Sequence, residues 1–368
     1  MKIKCSRDLL HESVNNVLKA ASAKSSMPAL EGILLKTGVS NLTLTGYDLE
    51  IGITQTIECD VQTQGEIVLN AKVLSDMVRS IDGENIIIEK TDDFIVNISS
   101  GNTQYTILGI SSEDFPALPV AQNNLKVVIS QNNLKSMIKK TIFAVSQDQS
   151  KPVLTGVLFE IKDGVLTTVS CDGCRLCVCK ENINYNGEEK TVIPSKTLNE
   201  ILKMLKDEDD ETIEITFDKK HISFKFNDCT VISRLLEGQF IDYNAVIPKE
   251  IKTTVSVQTK KIQKTIERTS LILSDKLKSS IKIIFEDNKI KASCKTALGN
   301  ASDEIDAAIE GESCTIGFNS KYILDSLKAC EEENIIIQFN GSVSPMKITA
   351  AQGSKQNDFL FLVMPVML

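Results

Sequence analysis

Asn70-Ala71-Lys72-Val73-Leu74-Ser75-Asp76-Met77-Val78-Arg79 returns twice in this chain, as Pro194-Ser195-Lys196-Thr197-Leu198-Asn199-Glu200-Ile201-Leu202-Lys203 and as Asn319-Ser320-Lys321-Tyr322-Ile323-Leu324-Asp325-Ser326-Leu327-Lys328. The three lysines stand 124 and 125 residues apart, so a domain-sized unit recurs rather than a short solenoid repeat. Each copy reads as a helix. Apolar residues two, six and nine positions after the lysine (Leu74, Val78, Ile81; Leu198, Leu202, Leu205; Ile323, Leu327, Cys330), joined at five by Met77 and Ile201, make one stripe at the helical period. Asn70, Ser195 and Asn319 are placed to cap the three starts. The polar face recurs too, as base, acid (Asp76, Glu200, Asp325) and base (Arg79, Lys203, Lys328). Two readings of that face compete: a solvated surface laced by ion pairs one turn apart, or a row of cations offered to a polyanion. The pattern alone does not choose between them.

Working outward, a strand at Lys2 to Ser6 leads into a helix from about Arg7 to Ala20 whose apolar positions include Leu10, Val14, Val17 and Leu18. Val127 to Ser130 followed by Leu134, Met137, Ile138 and Ile142, then Thr254 to Val257 followed by Ile262 and Ile266, repeat this opening in step. Every repeat therefore owns two helices. Between them lie alternating segments, in the first repeat Gly32 to Leu35, Leu42 to Thr45, Ile51 to Ile57, Glu66 to Leu69, Ile86 to Glu89, Phe94 to Ile98 and Tyr105 to Ile110. Their β-branched runs, punctuated by Asp-Gly, Asn-Gly and Gly-Asn, favour antiparallel hairpins over crossover units. The expected fold is α+β: three repeated domains of two helices and antiparallel sheet, at 1–122, 123–250 and 251–368, set in a ring or a crescent with sheets outside and helices along one concave wall.

A length of 368 residues suits two or three domains, and 42% hydrophobic with 24% charged residues is ordinary globular composition. A net charge of −8 argues against coating nucleic acid with the whole surface, but leaves room for a local basic face. Lys135, Lys139 and Lys140 have no acid among them, and Lys260, Lys261, Lys264 and Arg268 are opposed only by Glu267. Lysines of this kind grip phosphates and ignore sequence. No apolar signal core follows Met1-Lys2-Ile3-Lys4-Cys5, so a cytoplasmic location and reduced thiols are expected for the ten cysteines. Cys171, Cys174, Cys177 and Cys179 superficially suggest a metal site. Leu166 to Lys180 nevertheless reads as two strands about the Asp172-Gly173 turn, which makes core filling the favoured role, and no metal or cofactor is expected. The run Asp207-Glu208-Asp209-Asp210-Glu211 reads as a solvated connector rather than a two-metal site. With two histidines, no phosphate loop and no nucleophile–base spacing, catalysis has no visible residues.

Lys151-Pro152-Val153-Leu154-Thr155-Gly156-Val157-Leu158-Phe159-Glu160, Cys171-Asp172-Gly173-Cys174-Arg175-Leu176, Ser233-Arg234-Leu235-Leu236-Glu237-Gly238-Gln239-Phe240 and Val363-Met364-Pro365-Val366-Met367-Leu368, in that order within the threefold repeat, resemble the bacterial DNA polymerase III beta-subunit family, the sliding clamps. The resemblance implies a non-catalytic processivity factor of the DNA clamp fold, a head-to-tail homodimer whose domains close a ring around duplex DNA, with helices lining the central pore, and tether the replicative polymerase. It implies a partner-peptide pocket at Leu154, Cys171, Gly173, Cys174, Arg175, Leu176, Ile241, Val246, Leu362 and Met364. Its users would be the DNA polymerase III alpha subunit, the clamp loader, and other polymerases and repair proteins carrying the clamp-binding motif. Lys24, Lys72, Lys151 and Lys196 fall at positions that are basic in the family and face the duplex; Lys139, Lys140 and Lys264 join them from the basic helices. At the dimer interface Ile272 and Leu273 would meet the edge strand from Tyr105 to Leu108. Cys171 and Cys174 stand where the family often has Thr and His, and Ile241 where Pro is common. The competing reading is a scaffold of the same fold that keeps the pocket but does not encircle DNA.

Overall fold

The computed structural model describes residues 1–91, 94–121, 125–208, 210–273, 280–351 and 358–368. The expected domain boundary at 122 to 123 and one residue of the acidic run, 209, lie outside them. Among the described residues the helices are α1 (Arg7–Leu18), α2 (Ala71–Ser80), α3 (Gln131–Thr141), α4 (Ser195–Met204), α5 (Thr259–Ser270) and α6 (Ser320–Ala329), two for each repeat. None is long and apolar enough to cross a membrane. Most of the predicted stripe is buried: Leu74, Val78 and Ile81, Leu198, Ile201 and Leu205, and Ile323 and Leu327 are in the core, while Met77, Leu202 and Cys330 are half-buried. Burial of each such side chain is worth about 1.5–3 kcal/mol, more than helix propensity supplies.

The caps are as read at two starts and different at the third. Asn70 accepts from the Val73 N–H at 3.1 Å and Asn319 from the Lys321 N–H at 3.0 Å. Ser195 is the first residue inside α4 rather than its cap, and the position before it, where the other two helices have Asn70 and Asn319, is Pro194, whose side chain has no hydrogen-bond acceptor. α1 ends at Leu18, and Ala20 and Ala21 continue it as turns whose N–H groups reach Val17 and Leu18.

The chain divides into two compact units, residues 1–131 with 203–235 and residues 132–202 with 236–368. In the first unit a sheet of eight strands runs from Leu125–Ser130 through Thr212–Phe217, His221–Phe226 and Cys229–Arg234 to Ile51–Glu58, Asn41–Tyr47, Gly32–Thr37 and Glu66–Asn70. A second sheet has five strands, with Thr103–Leu108 at one edge and Asp60–Thr63 at the other. α1 and α2 pack together, and α1 also lies on Asn41–Tyr47 and Ile51–Glu58. Gly46 permits that approach, since a Cβ there would stand 2.5 Å from the Val17 carbonyl oxygen.

In the second unit nine strands follow the order Glu189–Pro194, Gly156–Lys162, Val165–Cys171, Arg175–Asn182, Asp358–Val363, Met346–Ala350, Asn334–Phe339, Thr253–Gln258 and Ala308–Gly311. A four-stranded sheet from Gly299–Asp306 to Cys314–Asn319 accompanies it, and α5 packs on α6. Every strand pairing among the described residues is antiparallel, as the hairpin punctuation predicted. Two pairings join strands of different repeats: Cys229–Arg234 with Ile51–Glu58, and Arg175–Asn182 with Asp358–Val363. The repeats therefore share sheets, and backbone hydrogen bonds tie each to the next.

Candidate functional site

The hairpin of Val165–Cys171 and Arg175–Asn182 is the base of the site. Its turn is built by Asp172, whose Oδ1 accepts from the Cys174 N–H at 2.9 Å and the Arg175 N–H at 3.0 Å, while Gly173 takes φ +91°, a left-handed conformation open to glycine. The C-terminal strand Asp358–Val363 lies beside this hairpin, and the Met364 N–H continues the ladder by donating to the Cys174 carbonyl at 2.9 Å. Leu176 faces Leu362 across that pairing.

These strands gather an apolar cluster in which Cys171, Leu176 and Leu362 are buried with Leu158, Phe240 and Tyr243, and on which Leu154 and Ile241 pack half-buried. Five of the predicted pocket residues thus converge. Val246 and Met364 stand 47% and 41% exposed, as apolar rim residues would, and Gly173 and Cys174 are exposed at the turn. The Cys171 thiol accepts from the Gly173 N–H at 3.3 Å, and burial pushes its pKa up. Cys177 and Cys179 share the opposite, buried face of their strand, and among the described residues no group of cysteines, histidines and carboxylates could hold a metal ion.

Arg175, a predicted pocket residue, is held by three hydrogen-bonding partners. Its Nε donates to Asp172 Oδ2 at 2.9 Å, one terminal nitrogen to Asp325 Oδ2 at 2.6 Å and the other to the Phe143 carbonyl at 2.6 Å. The guanidinium also lies 4.6 Å from the Tyr322 ring centre, within range of a cation–π contact. Burial works against its charge, but Asp325 and Asp172 outweigh that and raise its pKa. The sequence reading missed Phe143 and Tyr322 as partners. Asp325 was visible only as the third copy of the repeated acid: Asp76 pairs with Arg79 on its own helix at 2.6 Å, whereas Asp325 turns to Arg175.

Six of the seven lysines expected to meet DNA, Lys24, Lys72, Lys139, Lys151, Lys196 and Lys264, are exposed. Lys140 is not, and the expectation for it is corrected. Its side chain is 1% exposed, its Nζ stands 3.5 Å from Glu332 Oε1, and it lies over the Phe359 ring at 5.2 Å. Such a side chain holds protein together and is closed to phosphate. Leu108 ends the edge strand Thr103–Leu108 and is 74% exposed, while Ile272 and Leu273 are half-buried after α5. Leu271, which the sequence reading passed over, is more exposed than either.

Repeated pairs of helices with lysines on their solvent faces, antiparallel sheets shared between repeats, and an apolar cup with partly exposed rim residues define a multidomain binding platform. Comparison with known proteins makes the class specific. Family models for the N-terminal, central and C-terminal domains of the DNA polymerase III beta subunit match residues 1–119, 128–242 and 244–367. The beta sliding clamp of Halalkalibacterium halodurans is 35% identical over 93% of this chain and 94% of its own length. That of Bacillus subtilis is 31% identical over 95% of each. The crystal structure of the Bacillus subtilis DNA polymerase sliding clamp superposes with a TM-score of 0.96 at 30% identity, covering 100% of this chain and 99% of that one. That of a DNA polymerase III beta subunit from Eubacterium rectale gives 0.95 at 31% identity, covering 100% of both. The chain belongs to the DNA polymerase III beta subunit family and has its three-domain clamp fold. Its function is that of a DNA sliding clamp, a non-catalytic processivity factor of DNA replication.

Proposed function

We propose that two copies of the chain join head to tail into a ring around duplex DNA, with the helices of the repeats, at 1–122, 123–250 and 251–368, on the inner wall and the sheets outside. The observation that carries this reading is the repeated helix: Lys72, Lys196 and Lys321 are each exposed opposite a buried apolar stripe. Topological linkage would hold the DNA, so lysine contacts that ignore sequence let the ring slide. The DNA polymerase III alpha subunit, the clamp loader, and other polymerases and repair proteins would dock a short motif in the cup around Leu176 and Leu362, in the cytoplasm. No cofactor is required.

Replacing Lys72, Lys139, Lys196 and Lys264 together by Gln tests the inner wall. Primer extension should fall to the product length of polymerase alone, and the log–log salt slope of DNA binding should drop by about one per lysine that meets a phosphate. Unchanged product length would sink the basic-wall reading. For the dimer, Ile272→Asp with Leu273→Asp should give a monomer in sedimentation velocity, because charges would then face the exposed apolar end of Thr103–Leu108. A dimer that survives both substitutions places the interface elsewhere.

A further inference from the structure

The sheet face that carries the cup continues past it. Along Asp358–Val363, Leu362, Leu360 and Asp358 pair on one side with Leu176, Val178 and Lys180. On the other side Leu362 pairs with Lys347 and Leu360 with Thr349. Tyr243, Asn244 and Ile247 stand over this stretch and enclose with it a cavity of about 180 Å³. Val178, Tyr243, Ile247 and Leu360 belong both to that cavity and to the apolar cluster of the cup, so the cavity is a groove that borders the cup directly.

Its charges are unevenly placed. Lys180 and Lys347 flank the apolar floor, and neither ammonium has an ion pair or side-chain hydrogen bond among the described residues. Asp358 is the lining carboxylate and stands opposite Lys180 in register. The Tyr243 hydroxyl is already spent on Glu160, which Lys190 also holds at 3.0 Å. The groove is left with one more positive than negative charge beside an apolar anchor site.

We infer that this groove receives an acidic residue of the docked partner peptide, with Lys180 and Lys347 as the receiving cations; the inference rests on the cup being a partner-peptide site. Leu362, Leu360 and Asp358 are two and four residues apart on one face, and an extended peptide advances about 3.3 Å per residue. Lys347 stands level with Leu362 at the edge of the cup and Lys180 four residues along, opposite Asp358, so the acidic residue lies within about four positions of the apolar side chain seated in the cup. The lysines act as a specificity element for the flank of the motif, separate from the apolar contacts that bind its core.

The test is a fluorescence anisotropy titration of the full chain with three labelled peptides. One carries a Gln-x-x-Leu-x-Phe core with neutral flanks; the others add two glutamates two to four positions before or after it. Each is measured on the wild type and on Lys180→Ala/Lys347→Ala. On the wild type one acidic peptide should bind about threefold to fivefold tighter than the neutral one, the scale of a partly exposed ion pair. That gain should vanish in the double variant and in about 0.5 M salt, while the neutral core binds both proteins alike. Equal binding of all three peptides, or a gain that survives in the variant, overturns the inference and leaves the cup standing. A neutral core peptide that does not bind at all, or that binds equally well to Met364→Ala, removes the cup and the inference together.

Discussion

Lys140→Ala lowers the stability of the second unit by about 3–5 kcal/mol, the scale of a buried ion pair with one partner removed. Lys140 and Glu332 are 1% and 6% exposed and their charges stand 3.5 Å apart. Neither oxygen of Glu332 accepts a hydrogen bond among the described residues, so Lys140 supplies its compensating charge. Deleting the ammonium leaves a buried carboxylate without its counter-ion, and also strips the cation from the Phe359 ring. Glu181 is affected as well, since burial raises its carboxyl pKa and Lys140 pulls it back. Without Lys140 the folded chain holds protons more tightly than the unfolded one, and stability then falls as pH rises. The deficit should therefore be smaller at about pH 5 than at about pH 8. Removing both charges with Lys140→Met and Glu332→Leu should bring stability back to within about 1 kcal/mol of the wild type. Urea unfolding followed by circular dichroism reads all of this, and hydrogen exchange in α3 and Asp358–Val363 localises it. A single variant that unfolds at the wild-type midpoint would show the pair to be solvated. The double variant should keep full processivity, because a buried lysine contributes nothing to the grip on DNA.

Arg175→Ala gives the second large loss, about 3 kcal/mol. Three hydrogen-bonding partners, Asp172, Asp325 and the Phe143 carbonyl, lose their donor at once. The two carboxylates are 14% and 26% exposed, and water recovers part of their solvation, which keeps the cost below that at Lys140. Arg175→Lys should recover less than half, since one ammonium cannot reproduce a planar fork reaching three acceptors. Asp325→Asn should cost about 1 kcal/mol, because the amide oxygen still accepts from the guanidinium. Because the same residue holds the Asp172 turn against α6, peptide binding should weaken in step with stability across the three variants. Peptide affinity lost in Arg175→Lys at undiminished stability would instead mean that the guanidinium touches the peptide directly.

The helix and strand order of this chain was legible because it depends on local periods. The stripe Leu74, Val78 and Ile81 and its two copies obey 3.6-residue spacing, and Cys177 and Cys179, two residues apart on a strand, fill the core as expected from one buried face. The strand Asp60–Thr63 escaped notice because it is a polar edge strand, held by backbone pairing to Lys2–Ser6 and nearly without apolar alternation. The apolar cup was legible through the resemblance of its hairpin and C-terminal strand to the clamp family. Which residues of it are floor, rim or brace was not. Lys139 and Lys140 are adjacent and chemically identical, yet one is solvated and the other sealed by Glu332 and Phe359, residues close to two hundred positions away. Arg175 likewise meets Asp325 only because strands from the second and third repeats pair. Periodicity and composition alone determined the repeat, the helices and the basic faces. Tertiary structure alone decided which cations are surface and which are struts, because burial of a charge depends on what distant segments cover it.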